Sequence, residues 1–338
     1  MNKDLTALIL TGGLGTRLRP LTLYSPKPLL PIGNLPFLSY PLALLRTHGV
    51  REAALCIADS PEPYQKFIRE QKKLGSKVFC SQETKALGTA GALKNAEKFI
   101  HSSPFFILNG DVLTDINLSE LFHFHKKRGA LITIALIQVP DPQNYGLVIT
   151  ENSGKVKKFL EKPSLDQLQD ENEFYINAGI YLFEKELFNL IPPNKIYSTE
   201  RELFPDCLNR NLPCYGYKVA HTSHWIDIGT PEKYLEANQF VTSASGAWDG
   251  SKPLRLGLKS KIHPTSAIGK DVIMGHRVKI GEQCMIKNSV IGDGVVIENH
   301  CVIENCIIGN FAKIEHSSMI KNVKVIGNYS KITAYSKL

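Results

Sequence analysis

An α/β domain with a mixed, mostly parallel sheet, followed by a β-solenoid, is the fold that this sequence predicts. Three observations carry it. Up to about Gln239, short apolar strands alternate with amphipathic helical stretches, as in sheets with helices on both faces. Residues 243–252 (SASGAWDGSK) are then small, polar and glycine-rich, as a linker is. From Ile262 onward an aliphatic residue recurs at every sixth or fifth position: Ile262, Ile268, Met274, Ile280, Ile286, Ile291, Ile297, Ile303, Ile308, Ile314, Ile320 and Ile326. So regular a step is the mark of a solenoid, in which each hexad forms one short side and the anchors stack inward. The reading gives a first domain over 1–242, a linker over 243–260 and a repeat domain over 261–338.

The expected strands of the first domain are 7–10, 53–57, 77–81, 105–108 and 131–138. The expected helices are 36–48, 61–74, 90–99 and 118–128. In a sheet of this kind ligands bind at the carboxyl ends of the strands, where Gly12, Asp111 and Asp227 all fall. In the repeats a small or aliphatic residue usually follows its anchor by four: Val272, Val278, Cys284, Val290, Val295, Cys301, Ala312, Ser318 and Ser330.

Composition narrows the function classes. A chain of 338 residues, 43% hydrophobic, can bury a full core. No apolar run approaches a membrane span, and Met1-Asn2-Lys3-Asp4 leads directly into a strand, so neither a membrane partner nor a secretory signal is expected. The seven cysteines include no CxxC pair, which argues for reduced thiols in a cytoplasmic protein. Residues 251–338 hold 13 Lys and Arg against 6 Asp and Glu, and so carry nearly all of the net charge of +8. Those cations stand singly, without interleaved aromatics, which suits solvated solenoid corners and not a nucleic-acid partner.

The first expected strand ends in Thr11-Gly12-Gly13-Leu14-Gly15-Thr16, with Arg17, Arg19 and Lys27 beyond. Glycines after a strand let backbone N–H groups close on a phosphate, and fixed cations neutralise its charge. The spacing is neither that of a P-loop nor that of a dinucleotide fingerprint.

From Gly12 to Pro31 the string resembles the opening motif of the sugar nucleotidyltransferases (nucleoside-diphosphate-sugar pyrophosphorylases), GGxGTRLxPLTxxxPKPxxP. The resemblance implies a Rossmann-like catalytic domain whose loop (Leu10, Gly12, Gly13, Gly15, Thr16, Arg17) wraps the nucleotide phosphates. Arg17 and Lys27 then hold the reacting phosphates. Asn109-Gly110-Asp111 and Trp225-Ile226-Asp227-Ile228-Gly229-Thr230 match two further family segments, whose aspartates jointly hold a divalent cation. Carboxylates and phosphate oxygens suit Mg²⁺. Asp111 is accordingly counted with Arg17 and Lys27 in the catalytic set. Tyr145-Gly146, Glu161-Lys162-Pro163 and Asn177-Ala178-Gly179 match segments that bind the sugar phosphate, through Gly146, Glu161, Lys162 and Asn177.

The stretch 82–91 (QETKALGTAG) matches the base-reading loop and contributes Glu83, Gly88 and Thr89. Relatives that use thymidine or uridine nucleotides tend to carry Gln where Glu83 stands. A carboxylate only accepts hydrogen bonds, which suits guanine N1–H and N2–H₂; Gln82, one residue away, would reverse the inference. Around Asn177 and Glu200 the chain is similar to the members that use GTP and mannose 1-phosphate, which also append a left-handed β-helix of hexapeptide repeats. The substrates implied are GTP, or another NTP, and a sugar 1-phosphate, with self-association through the β-helix. The alternatives are thymidylyl, uridylyl or adenylyl transfer to glucose 1-phosphate, a non-catalytic regulatory paralogue, and an acyltransferase using a solenoid histidine (His263, His276, His300 or His316).

Overall fold

The structure, a computed structural model, describes residues 5–13, 15–58, 60–168, 173–243, 255–322 and 324–338. The greater part of the expected linker, residues 244–254, lies outside these, as does Leu14 of the glycine loop. The chain forms two compact units. One joins the start of the chain up to Gly12 with Pro41–Trp225, and the other joins Gly13–Tyr40 with Ile226–Leu338. The division thus falls inside the glycine loop, and residues 13–40 go with the repeats.

The first unit is built on a nine-stranded mixed sheet. Its strands are β1 (Thr6–Leu10), β2 (Glu52–Ile57), β3 (Lys77–Gln82), β4 (Phe105–Asn109), β5 (Ile132–Val139), β6 (Gly146–Thr150), β7 (Val156–Glu161), β8 (Phe174–Phe183) and β9 (Cys214–Lys218). The order β4-β1-β2-β3 is parallel throughout, and β9 pairs parallel with β5. The antiparallel part centres on β8, which pairs with β4, β5 and β6, while β6 pairs with β7. Strands β1, β2 and β4 are buried on both faces, which is why they read as unbroken apolar runs: ALI, AALCI and FFIL. The expected strands match β1 to β5 to within one residue at either end.

Helix Leu118–Arg128 has the bounds its sequence implies. Asn117 Oδ1 accepts the Ser119 and Glu120 N–H groups at 3.0 and 3.2 Å, and Gly129 ends the helix at φ 56°. The expected helix 36–48 is shorter, Ser39–Thr47, because Leu35–Pro36 pairs with Pro31–Ile32 as a small hairpin.

In the second unit, thirteen short strands from Lys261–Ile262 to Lys331–Ile332 fall into three parallel sheets of five, four and four. Each strand pairs with the one three further on, 17 or 18 residues later, which is the coil of a β-helix. Every anchor occupies its strand as the hexad step requires, and Ile332 makes a thirteenth. Ile286, Ile303 and Ile320 are fully buried in one stack, and Val272, Val278, Val295, Cys301 and Ala312 close the interior between them. Where the step shortens to five, Val290 joins the strand beside Ile291 and the fully buried Ser289 takes the inward place.

Candidate active site

In the first unit the parallel strands end together and bring three sequence-predicted groups to one edge. Leu10 lies beside Asn109 in register, and its carbonyl accepts the Gly110 N–H at 2.7 Å. A Cβ at Gly110 would stand 2.6 Å from that oxygen, so only glycine lets the Asp111 turn approach β1 this closely. Thr11 fixes the start of the glycine loop: its N–H and hydroxyl both donate to the Cys56 carbonyl, at 3.0 and 2.7 Å. Gly12 is exposed, and Glu83 Oε1 lies 3.6 Å from where a Gly12 Cβ would be.

Glu83 is buried at the end of β3. Its N–H donates to the Ile57 carbonyl at 2.9 Å, and its Oε2 accepts the Leu87 N–H at 2.8 Å. Burial pushes its carboxyl above the ordinary range, and the Leu87 bond opposes this only in part. Gly88, at φ 72°, packs on the Tyr197 backbone, where a Cβ would meet the carbonyl at 2.8 Å. Thr89 turns its hydroxyl to Glu200 Oε2 at 2.8 Å and accepts the Thr199 N–H at 2.7 Å, so it pins this loop to the 198–203 turn.

The antiparallel strands supply a second cluster. Glu161 pairs in register with Gly146, and a Cβ at Gly146 would lie 2.7 Å from the Phe159 ring and 3.1 Å from Glu161 Oε2. The Lys162 N–H donates to the Tyr145 carbonyl at 2.9 Å. Asn177 sits where the β8–β5 register shifts; its Nδ2 donates to Tyr181 Oη at 2.7 Å and its Oδ1 accepts the Gly179 N–H at 2.9 Å. Trp225 Nε1 donates to the Ala178 carbonyl at 2.9 Å, and its ring meets that of Tyr145 edge-on at 5.5 Å. Burial, then the Glu200 carboxylate, raises the Glu161 carboxyl. Burial also raises the Tyr181 hydroxyl well above its ordinary value, and Glu200, Glu161 and Asp111 all add to the rise, so three acids act on one buried ring. Sequence reasoning assigned no role to Tyr181, Trp225 or Glu200. Each nevertheless stood in or beside a matched segment: Trp225 opens the one that carries Asp227, Tyr181 closely follows Asn177-Ala178-Gly179, and Glu200 lies in a stretch similar to members of the family.

The second unit holds Arg17 and Lys27. Gly15, at φ 60°, opens the turn Thr16–Leu18. A Cβ there would stand 2.9 Å from the Thr22 methyl and 3.0 Å from Lys27 Cβ, so glycine is required for conformation and for space. Lys27 is 8% exposed and lies in the turn Lys27–Leu29 behind Pro26. A cation held under a glycine turn is fixed in place, as a preorganised anion site requires. Gly13 has open space around it, while Thr16 and Arg17 are exposed. Arg17 Nη2 and Asp227 Oδ2 lie 3.1 and 3.2 Å from where a Gly229 Cβ would be, so guanidinium and carboxylate face one another across that glycine. Among the described residues no group of three or more His, Cys, Asp or Glu is placed to hold a metal. A cation bound here would take one or two carboxylates and complete its shell with substrate oxygens, which is the habit of Mg²⁺.

Comparison with known proteins agrees with this arrangement. Residues 6–244 match the nucleotidyl transferase family, and residues 252–336 match the GMPPB C-terminal domain. The chain is 38% identical over 294 residues to mannose-1-phosphate guanylyltransferase 1 of Arabidopsis thaliana, covering 84% of this chain and 78% of the relative. It is 37% identical over 281 residues to the mannose-1-phosphate guanylyltransferase catalytic subunit beta of Drosophila melanogaster, covering 82% and 71%. The crystal structure of HddC from Yersinia pseudotuberculosis superposes with a TM-score of 0.60 at 28% identity, over 70% of this chain and 99% of that one. The same protein complexed with GMP-PN gives 0.59.

Proposed function

Because the chain belongs to the nucleotidyl transferase family, we propose that it transfers the guanylyl group of GTP to mannose 1-phosphate, giving GDP-mannose and pyrophosphate. The carrying observation is the buried Lys27 behind the glycine turn, on the segment that also bears Arg17. A phosphate oxygen of mannose 1-phosphate attacks the α-phosphorus of GTP. The bond from that phosphorus to the bridging oxygen breaks, and pyrophosphate leaves with the electron pair. The nucleophile is already ionised, so no protein base is needed. Arg17 and Lys27 neutralise the phosphates and hold them in line. Asp111 and Asp227 are the ligands proposed for Mg²⁺, which when bound adds positive charge against the phosphate oxygens. Pyrophosphate release over a matrix of nucleotides and sugar 1-phosphates tests the assignment. Higher turnover of dTTP with glucose 1-phosphate than of GTP with mannose 1-phosphate would overturn it.

Glu83 is the proposed reader of the base. Its Oε2 is held by the Leu87 N–H, and Oε1 lies next to the space over Gly12. Ionised, it accepts the two adjacent donors of guanine; protonated, it cannot. Because burial raises its pKa, the KM for GTP is expected to rise on acidification from a higher pH than an ordinary carboxyl would give. Glu83→Gln should remove that pH dependence and weaken GTP by about 1–3 kcal/mol at neutral pH. The same shift means that the folded protein holds this proton more tightly than the unfolded chain does. Ionising Glu83 therefore costs stability as pH rises through its raised pKa, and Glu83→Gln should melt higher than the wild type at neutral pH. A GTP KM profile identical in the two proteins removes Glu83 from base recognition.

Self-association through the β-helix is proposed as well, supported by the exposed apolar side chains of Leu258, Met285 and Met319. Light scattering at micromolar concentration should give at least a dimer, and a monomer overturns it. A cytoplasmic setting is supported by the seven cysteines, all free thiols and six of them buried.

A further inference from the structure

The segment that carries Arg17 and Lys27 is tied to the β-helix inside one compact unit. The Asn34 side chain donates to the Met274 carbonyl at 2.9 Å. Pro20 lies against Gly327, where a Cβ would stand 3.0 Å from the proline ring. Tyr24 meets Tyr329 edge-to-face at 6.0 Å and 66°, and Tyr329 stacks on Phe311 at 5.3 Å and 13°. Phe311 in turn covers Gly294, where a Cβ would be 2.5 Å from its ring.

These aromatics occupy an unusual place. At one corner of successive coils the chain is left-handed at Arg277, Gly294, Phe311 and Tyr329, with φ between 58° and 65°. Bulky side chains disfavour that conformation, and another corner fills it with Asn288, Asn305 and Asn322. Aromatic rings stand at the first corner at Phe311 and Tyr329, and Tyr24 meets the second of them. From Tyr24 the link runs inward: Thr22 donates its hydroxyl to the Gly15 carbonyl at 2.9 Å, and Gly15 packs on Lys27.

We propose that Phe311 and Tyr329 are positioning residues for the transfer reaction: the last coils of the β-helix clamp Pro20–Tyr24 and so fix where Arg17 and Lys27 meet the phosphates. The β-helix then serves the chemistry through the phosphate loop, and any partner that grips its last coils acts on that loop. The inference rests on the reading of residues 12–27 as the phosphate-holding segment.

The test compares Tyr329→Ala, Tyr329→Phe, Tyr24→Ala, the double Tyr24→Ala/Tyr329→Ala and Tyr335→Ala in the full-length enzyme. Tyr335 is a matched control, being left-handed at φ 62° and packed on His316 at another corner. Tyr329→Ala and Tyr24→Ala should each lower kcat/KM for GTP at least fivefold with the melting temperature unchanged. Tyr329→Phe should restore it, because the edge-to-face contact needs the ring and not the hydroxyl, and Tyr335→Ala should be silent. The double variant should lose no more than the worse single one. If Tyr329→Ala does not fold, Tyr24→Ala on the loop side decides alone. Wild-type kcat/KM in the Tyr24 variant, or additive losses in the double, overturns the clamp. Full activity of Lys27→Ala would instead overturn the phosphate-loop reading beneath it, so the two failures are distinguishable.

Discussion

Lys27→Ala is expected to fold and to lose on the order of a hundredfold or more in turnover, the usual scale for removing a preorganised charge from a developing anion. The fold should survive because the change removes one side chain from a short turn and leaves the Gly15 turn and the Lys27–Leu29 backbone in place. Lys27→Arg should rescue poorly. The stem packs on Gly15, with Cβ and Cδ 3.0 and 3.4 Å from where a Cβ would be there, and a planar guanidinium on a longer chain does not occupy the same point as an ammonium. Steady-state pyrophosphate release, with circular dichroism as the check on folding, measures the effect. Normal turnover by Lys27→Ala would remove this segment from the chemistry.

The same segment marks where sequence reading succeeds and where it stops. Gly15 and Lys27 were legible because the motif GTRLRP…PKP is long, and Gly15 answers a local steric demand. The solenoid was legible for a similar reason. A hexad step is a one-dimensional signal that fixes which anchors share a stack, as Ile286, Ile303 and Ile320 do. The strands β6 to β9 were not assigned, since β8 pairs antiparallel with three partners far away in sequence and its apolar run YINAGIYLF shows neither period. Thr89 reads as a binding-loop hydroxyl, yet its partner Glu200 lies 111 positions on. Nor does the sequence show that residues 13–40 pack with the repeats. That grouping rests on single contacts such as Asn34 to Met274, and Tyr329 looks like an ordinary loop residue until its φ of 60° is known.

Asp111→Asn and Asp227→Asn should each abolish most Mg²⁺-dependent transfer, because a neutral amide is a poor ligand for a hard cation. Loss of activity alone would not separate a metal ligand from a residue that shapes the pocket, so nucleotide binding supplies the second readout. With EDTA present, each carboxylate repels the triphosphate. Asp227 in addition faces the Arg17 guanidinium across Gly229 and competes with the phosphates for it. Removing that charge should therefore leave GTP binding without metal as tight as in the wild type or tighter, most visibly in Asp227→Asn. Added Mg²⁺ should tighten GTP in the wild type, where the two carboxylates would hold it, and do little in either variant. Calorimetric titration of GTP with and without Mg²⁺ reads both effects on the intact protein. A variant whose GTP affinity still rises with Mg²⁺ as the wild type's does would show that the carboxylate it lacks holds no metal.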